Sequence, residues 1–346
     1  MVSYHKRNRL SGGIHPGLSL YLDLLRFCAA AEVFPYHLIM LTGPPGWRPL
    51  WASFGHEAVI VFFVLSGYVI SYAAANRDTT ARQFALSRLA RVFSVSVPAL
   101  VLTVALDWAA APLNPALYHG FAPLHSPLPR FAISLLLLNE SWISVQAFSN
   151  GPYWSLCYET AYYAIFASVF YLAGRRRGLA LTAALSFAGI RTLLLLPVWL
   201  MGCWAFFENR SRYWHPLVHG IWFLLPVPAL WFYQTVHLDR VTVELAFRFG
   251  WTSAQVDLGH SRQALSDIYL GLAVMLHFIG AKNAGPILAR LLRPIAASVR
   301  RCANYTFTRA TCKTRKSLRD STIYTVIDEF QRYMWGLTIH IPEFCK

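Results

Sequence analysis

Apolar runs of roughly twenty residues recur along this chain from Leu18 onward, with the charge gathered into short basic clusters between them. A helical run of that length crosses the ~30 Å hydrocarbon layer of a bilayer, and the bilayer leaves no water for unpaired backbone groups. The pattern therefore predicts an all-α polytopic transmembrane helix bundle. Composition agrees. The chain is 56% hydrophobic and 14% charged, well below the ~25% charged residues of soluble domains. The net charge of +15 reads as basic loops on the cytoplasmic side, with attraction to nucleotide or anionic lipid as the other reading. No nucleic acid partner is expected.

The predicted spans begin with Leu18–Leu41, Glu57–Ala75 and Val92–Ala110. Arg77 to Arg82 and Arg88 to Arg91 form the basic stretch between the second and third. Pro112, Pro115, Pro123, Pro127 and Pro129 mark an exposed loop over residues 111–130. Phe131–Val145 is apolar but short and contains Asn139 and Glu140. Counting it as a span would put Arg175-Arg176-Arg177 outside, against the positive-inside rule, so it reads as an interfacial or re-entrant segment. Tyr153–Ala173 is then the fourth span.

Gly178 to Phe207 is long for one span and short for two, with Gly189 and Arg191 interrupting it and Pro197 kinking its second half. Pro216–Tyr233 and Ser266–Ala281 follow, with a weaker candidate at Val241–Phe249. About eight to ten spans are expected in all, with the N-terminus cytoplasmic in a cell membrane and no cleavable leader. Residues 1–307 form the membrane domain and 308–346 a polar basic tail. The six cysteines show neither a disulfide framework nor a zinc pattern, and no metal is expected.

Three groups of polar residues interrupt the apolar segments. Arg26 and His37 are separated by ten residues in the first span; eleven steps of about 100° bring both to one face, about 16 Å apart. Asp23 lies one turn before Arg26, and an ion pair at that spacing eases the burial of both charges. An ionisable side chain in a membrane helix costs at least ~2.5 kcal/mol, so a use for it is expected. Histidine has an intrinsic pKa near neutrality, so His37 is a candidate to exchange a proton. Arg88 and Arg91 present two guanidinium forks on one helix face, suited to phosphate oxygens. Glu159 sits inside an apolar helix after Trp154 and Ser155, with Ser155 one turn away. Gly67, within Phe62-Phe63-Val64-Leu65-Ser66-Gly67-Tyr68, is read as a notch for close helix packing rather than part of a nucleophile turn. His119, His125, His215, His219, His237, His260 and His277 show no ligand spacing.

Taken in order, these pieces resemble the acyltransferase 3 family of multi-pass membrane acyltransferases. The likeness is carried by Arg26 and His37, by Val61-Phe-Phe-Val-Leu-Ser-Gly-Tyr-Val-Ile70, by Arg88 and Arg91, by Trp154 to Glu159, and by Leu196-Pro-Val-Trp-Leu-Met-Gly202. It covers about residues 18–307. The resemblance implies transfer of an acyl group, commonly acetyl from acetyl-CoA or another acyl-CoA, to a hydroxyl of an envelope or exported carbohydrate or glycolipid. It implies His37 as catalytic base with Arg26 as its partner, Arg88 and Arg91 on the CoA phosphates, and Glu159 shaping the site. The likeness fails after Asn304-Tyr305-Thr306-Phe307, where a final apolar helix is expected and a basic sequence stands instead; an altered reading frame near Thr308 would account for it. The residues alone also fit two rivals: a transporter or flippase using Asp23, Arg26, His37 and Glu159 as a proton relay, and a non-catalytic remnant of the enzyme.

Overall fold

A computed structural model describes residues 14–42, 49, 53–113, 126–250, 258–297 and 299. The Pro-rich residues 114–125 (with His119 and His125) and the tail from 300 lie outside the described residues. Among those described there are only helices, turns and irregular segments, as the all-α reading expects. The helices are α1 (Pro16–Thr42), α2 (Gly55–Asn76), α3 (Ala81–Ala110), α4 (Pro127–Leu135), α5 (Trp154–Tyr171), α6 (Gly174–Leu194), α7 (Leu196–Phe207), α8 (Pro216–Leu224), α9 (Pro226–Thr235), α10 (Leu238–Arg248), α11 (Ala264–Asn283) and α12 (Gly285–Leu291).

By length and apolarity, four stretches among the described residues can cross a membrane: α2, α3, the α8–α9 pair and α11. The bent α6–α7 pair makes a fifth if it counts as one span. That criterion, applied to the described residues alone, finds fewer than the eight to ten spans expected of the whole chain. The difference lies in helices whose polar groups reduce their apolarity, such as α5 with Glu159 and its tyrosines. The candidate at Val241–Phe249 is instead α10, which is 11 residues long with no buried residue; a span needs about 20 residues.

The chain divides into two compact units. The smaller holds residues 14–55 and those from 284 on. In it, α1 packs on α12 through Gly17, where a Cβ would stand 2.3 Å from the Gly285 carbonyl oxygen. The Phe54 amide donates to Glu32 Oε1 at 2.8 Å, tying the segment before α2 back to α1.

The larger unit runs from His56 to Asn283, with α2 at its core. Gly67 and Gly202 let α2 and α7 touch backbone to backbone: a Cβ on Gly67 would lie 2.1 Å from the Trp199 carbonyl oxygen, and one on Gly202 would lie 1.9 Å from that of Val64. The packing notch read from the sequence is thus a helix crossing. α3 carries a buried polar stripe, Ser96, Thr103 and Asp107, and turns Leu86, Leu89, Val101, Leu106 and Trp108 outward.

The stretch after α4 explains Asn139 and Glu140. From Leu136 the chain runs through turns and bends to Asn150, with Leu137 and Phe148 in the left-handed region. Asn139 is buried and satisfies this loop from within, its amide donating to Ser134 Oγ at 3.0 Å and to the Val145 carbonyl at 2.8 Å. Asp107 of α3 anchors the far end, accepting from the Ser149 amide at 2.8 Å and the Ser149 hydroxyl at 2.5 Å. Irregular backbone of this kind is tolerated in an apolar setting where protein buries it.

Gly178–Phe207 is interrupted as the sequence suggests. Gly189 takes φ 70° and ψ 168° inside α6, and the α6–α7 pair bends by 97°. A side chain at Gly189 would meet the Ser141 carbonyl oxygen at 2.1 Å, so glycine is needed for both its angle and its closeness. Carbonyls after the break are taken up by hydroxyls: Tyr162 donates to Thr192 O at 2.7 Å and Ser261 to Arg191 O at 2.7 Å.

Candidate functional site

In the smaller unit, Arg26 is buried and donates to Asp23 Oδ1 at 3.2 Å, the ion pair expected from their spacing. His37 is half-buried near the end of α1, with Tyr36 set edge-on to its ring at 5.2 Å. Pro35 is accommodated within the helix one turn or less before it. Arg26 and His37 thus share one continuous helix.

The larger unit holds Arg88, Arg91 and Glu159. Thr80 caps α3, its hydroxyl accepting from the Gln83 amide, so the basic stretch lies on the first turns of a helix rather than before it. Arg88 donates to Asp78 Oδ2 at 2.9 Å and stands over the Phe84 ring. Arg91 differs: its Nη2 is buried with no hydrogen-bond partner among the described residues. One guanidinium is tied to an acid, and the other keeps one unpartnered nitrogen, a donor suited to an anion.

Glu159 is buried on α5. Its Oε1 accepts from Ser66 of α2 at 2.9 Å and from the Tyr163 hydroxyl, while Trp199 of α7 donates to Ser66 Oγ at 3.2 Å. Arg88 stands over Phe84, whose ring meets that of Tyr163 edge-on, so the expected phosphate-binding Arg88 is linked through one ring to the tyrosine that bonds the expected site glutamate. Ser155 does not join Glu159; it donates to the Pro152 carbonyl at 3.0 Å at the start of the helix. Ser66 carries no mark in the sequence beyond standing next to Gly67.

Two histidine–carboxylate contacts were also missed. His260 approaches Glu140 at 3.4 Å and stacks on Trp154. His56 bonds to Asp267 at 2.7 Å. The usable signal was an acid inside an apolar segment, Asp267 within the span predicted at Ser266–Ala281; its partner is 211 residues away and has no sequence mark. No group of three or more His, Cys, Asp or Glu is gathered to hold a metal among the described residues.

Acyltransferase MdmB of Streptomyces mycarofaciens is 32% identical over 153 residues, which is 41% of this chain and 36% of that protein. The chain thus spans little more than a third of that relative's length. No solved structure matches. The sequence profile of the acyltransferase domain family, Acyl_transf_3, matches residues 19–254, a range that takes in Arg26, His37, Arg88, Arg91 and Glu159. The match covers most of the chain, which therefore belongs to this acyltransferase domain family.

Proposed function

We propose that this protein is an integral-membrane O-acyltransferase, moving an acyl group, acetyl in the simplest case, from acyl-CoA to a hydroxyl of a cell-envelope or exported carbohydrate. The observation that carries the reading, beyond family membership, is the buried Arg91 nitrogen without a hydrogen-bond partner among the described residues, three residues from Arg88 on α3. A buried charged donor left open is costly unless a ligand fills it, and a CoA phosphate is a matching acceptor.

His37 is the proposed general base. It takes the proton of the acceptor hydroxyl as that oxygen attacks the thioester carbonyl; the carbon–sulfur bond then breaks and the thiolate leaves, to be protonated in turn. Arg26, held by Asp23, is proposed to act with it. Glu159 shapes the interior through Ser66 and Tyr163. With the N-terminus cytoplasmic, Arg88 and Arg91 lie at the cytoplasmic ends of α2 and α3, where acyl-CoA is found.

The test is radiolabelled acetyl-CoA supplied to the purified protein in lipid nanodiscs with cell-envelope glycans. Transfer lost on His37→Ala and a donor KM raised about tenfold or more on Arg91→Ala are expected, since one charge-assisted hydrogen bond supplies about that factor. Proton-coupled uptake without transfer would replace this reading with a transporter. Transfer undiminished by His37→Ala would remove His37 as the base.

A further inference from the structure

The larger unit has another polar cluster, at the end of α2 away from Arg88 and Arg91. His56 Nε2 donates to Asp267 Oδ1 at 2.7 Å, joining the first turn of α2 to the first turn of α11. Asp267 is wholly buried, while the His56 side chain keeps 24% of its surface exposed. The second carboxylate oxygen of Asp267 is buried and has no hydrogen-bond partner among the described residues. Gln234 at the end of α9 donates to Glu57 Oε1 at 2.7 Å. Glu57 follows His56 on α2, and the buried Tyr233 precedes Gln234 on α9.

The chemistry of the pair fixes what remains open. A carboxylate only accepts, so the imidazole hydrogen sits on Nε2 and Nδ1 is the ring's remaining polar atom. A buried ion pair is weak as a stabilising device, since apolar residues of the same volume do as well or better. A histidine edge that keeps part of its surface exposed, backed by a buried carboxylate and next to Glu57 and its partner Gln234, offers hydrogen-bond partners for several hydroxyl groups. From His56 to Asn76, α2 rises about 30 Å, with Ser66 about halfway. The larger unit thus has a cationic end, a middle layer at Ser66, Glu159 and Trp199, and an acidic end at His56 and Asp267.

We propose that this acidic end binds the hydroxylated acceptor, a carbohydrate, with His56 Nδ1 and the Glu57 carboxylate as its hydrogen-bond partners. The assignment rests on the transferase reading above and adds to it where the acceptor is held.

The experiment compares KM values for donor and acceptor in nanodiscs, with radiolabelled acetyl-CoA as donor and the methyl glycosides of glucose, galactose and mannose as probe acceptors. His56→Gln is chosen because the glutamine amide still donates to Asp267, which keeps the buried carboxylate partnered; Glu57→Gln is its companion, and the melting temperature of each is followed. Both variants are expected to raise the acceptor KM about tenfold or more while leaving the donor KM within about twofold, and Arg91→Ala is expected to do the reverse. An acceptor KM unmoved in both variants, or donor and acceptor KM moving together, overturns the acceptor site while leaving the transferase standing. Wild-type protein that transfers to none of the glycosides overturns the carbohydrate acceptor itself, and this assignment with it.

Discussion

α2 and α3 are both long and apolar enough to cross a bilayer, yet 83% of the apolar window of α2 is buried inside the protein against 22% of that of α3. The two helices use their small and polar residues differently. α2 spends Gly67 on a backbone crossing and Ser66 on Glu159. α3 turns its apolar side outward and keeps Ser96, Thr103 and Asp107 within. In lipid, apolar surface between helices gives no net drive to associate, so inner faces rely on close packing and polar contacts. Apolarity alone therefore identifies a span without saying whether lipid or protein surrounds it.

The sharpest way to break this contrast is at the α2–α7 crossing. Gly202→Leu or Gly67→Leu forces backbone apart where a Cβ already has no room, and a loss at or above ~3 kcal/mol is expected. Size-exclusion elution of the purified variant would show it, and a wild-type profile would mean that α2 is less central than described. Next is the polar face of α3. Asp107→Ala removes both acceptors for Ser149 and should destabilise by about 2 kcal/mol, with new protease cleavage between residues 136 and 150; Asp107→Asn, which keeps one acceptor, should show less. Glu159→Gln keeps an acceptor for Ser66 and Tyr163 but removes the carboxylate from both hydrogen bonds, so a loss of about 1 kcal/mol is expected in thermal unfolding. Leu89→Ala and Leu106→Ala, on the outward face of α3, should lie within about 0.5 kcal/mol of wild type. A large loss at either would mean that this face is covered.

Much of this was legible from local pattern. Spacing alone paired Asp23 with Arg26, and Gly67 announced a close crossing. The charge of Arg175 to Arg177 kept residues 131–145 from being read as a span, and that stretch is the end of a short helix followed by irregular backbone that buries Leu137, Asn139 and Glu140 and exposes Trp142 and Ile143. The gap between Gly178 and Phe207 was marked by Gly189, and Gly189 is where the helix breaks. What remained hidden were partners far apart in sequence. Periodicity says which side of a helix faces inward and nothing about what it will meet; Asp107 finds Ser149 across 42 residues and Asp267 finds His56 across 211. A count by apolarity alone also misses helices, for a related reason. A helix such as α5 is held by Glu159 and its tyrosines bonding to other helices, so its apolarity understates how well it is buried.

The break at Gly189 also sets an order of events during synthesis. The Thr192 carbonyl can be capped at once, because Tyr162 precedes it in the chain. The Arg191 carbonyl cannot, because Ser261 follows it by 70 residues. At about 5–20 residues per second the ribosome needs roughly 4–14 s to supply that hydroxyl. Until then the joint needs another host, whether water, the translocon or a chaperone. A nascent chain halted before residue 258 should be cut by protease near residue 190 and one halted after residue 283 should not, which would make this bend a timer for when the bundle can close.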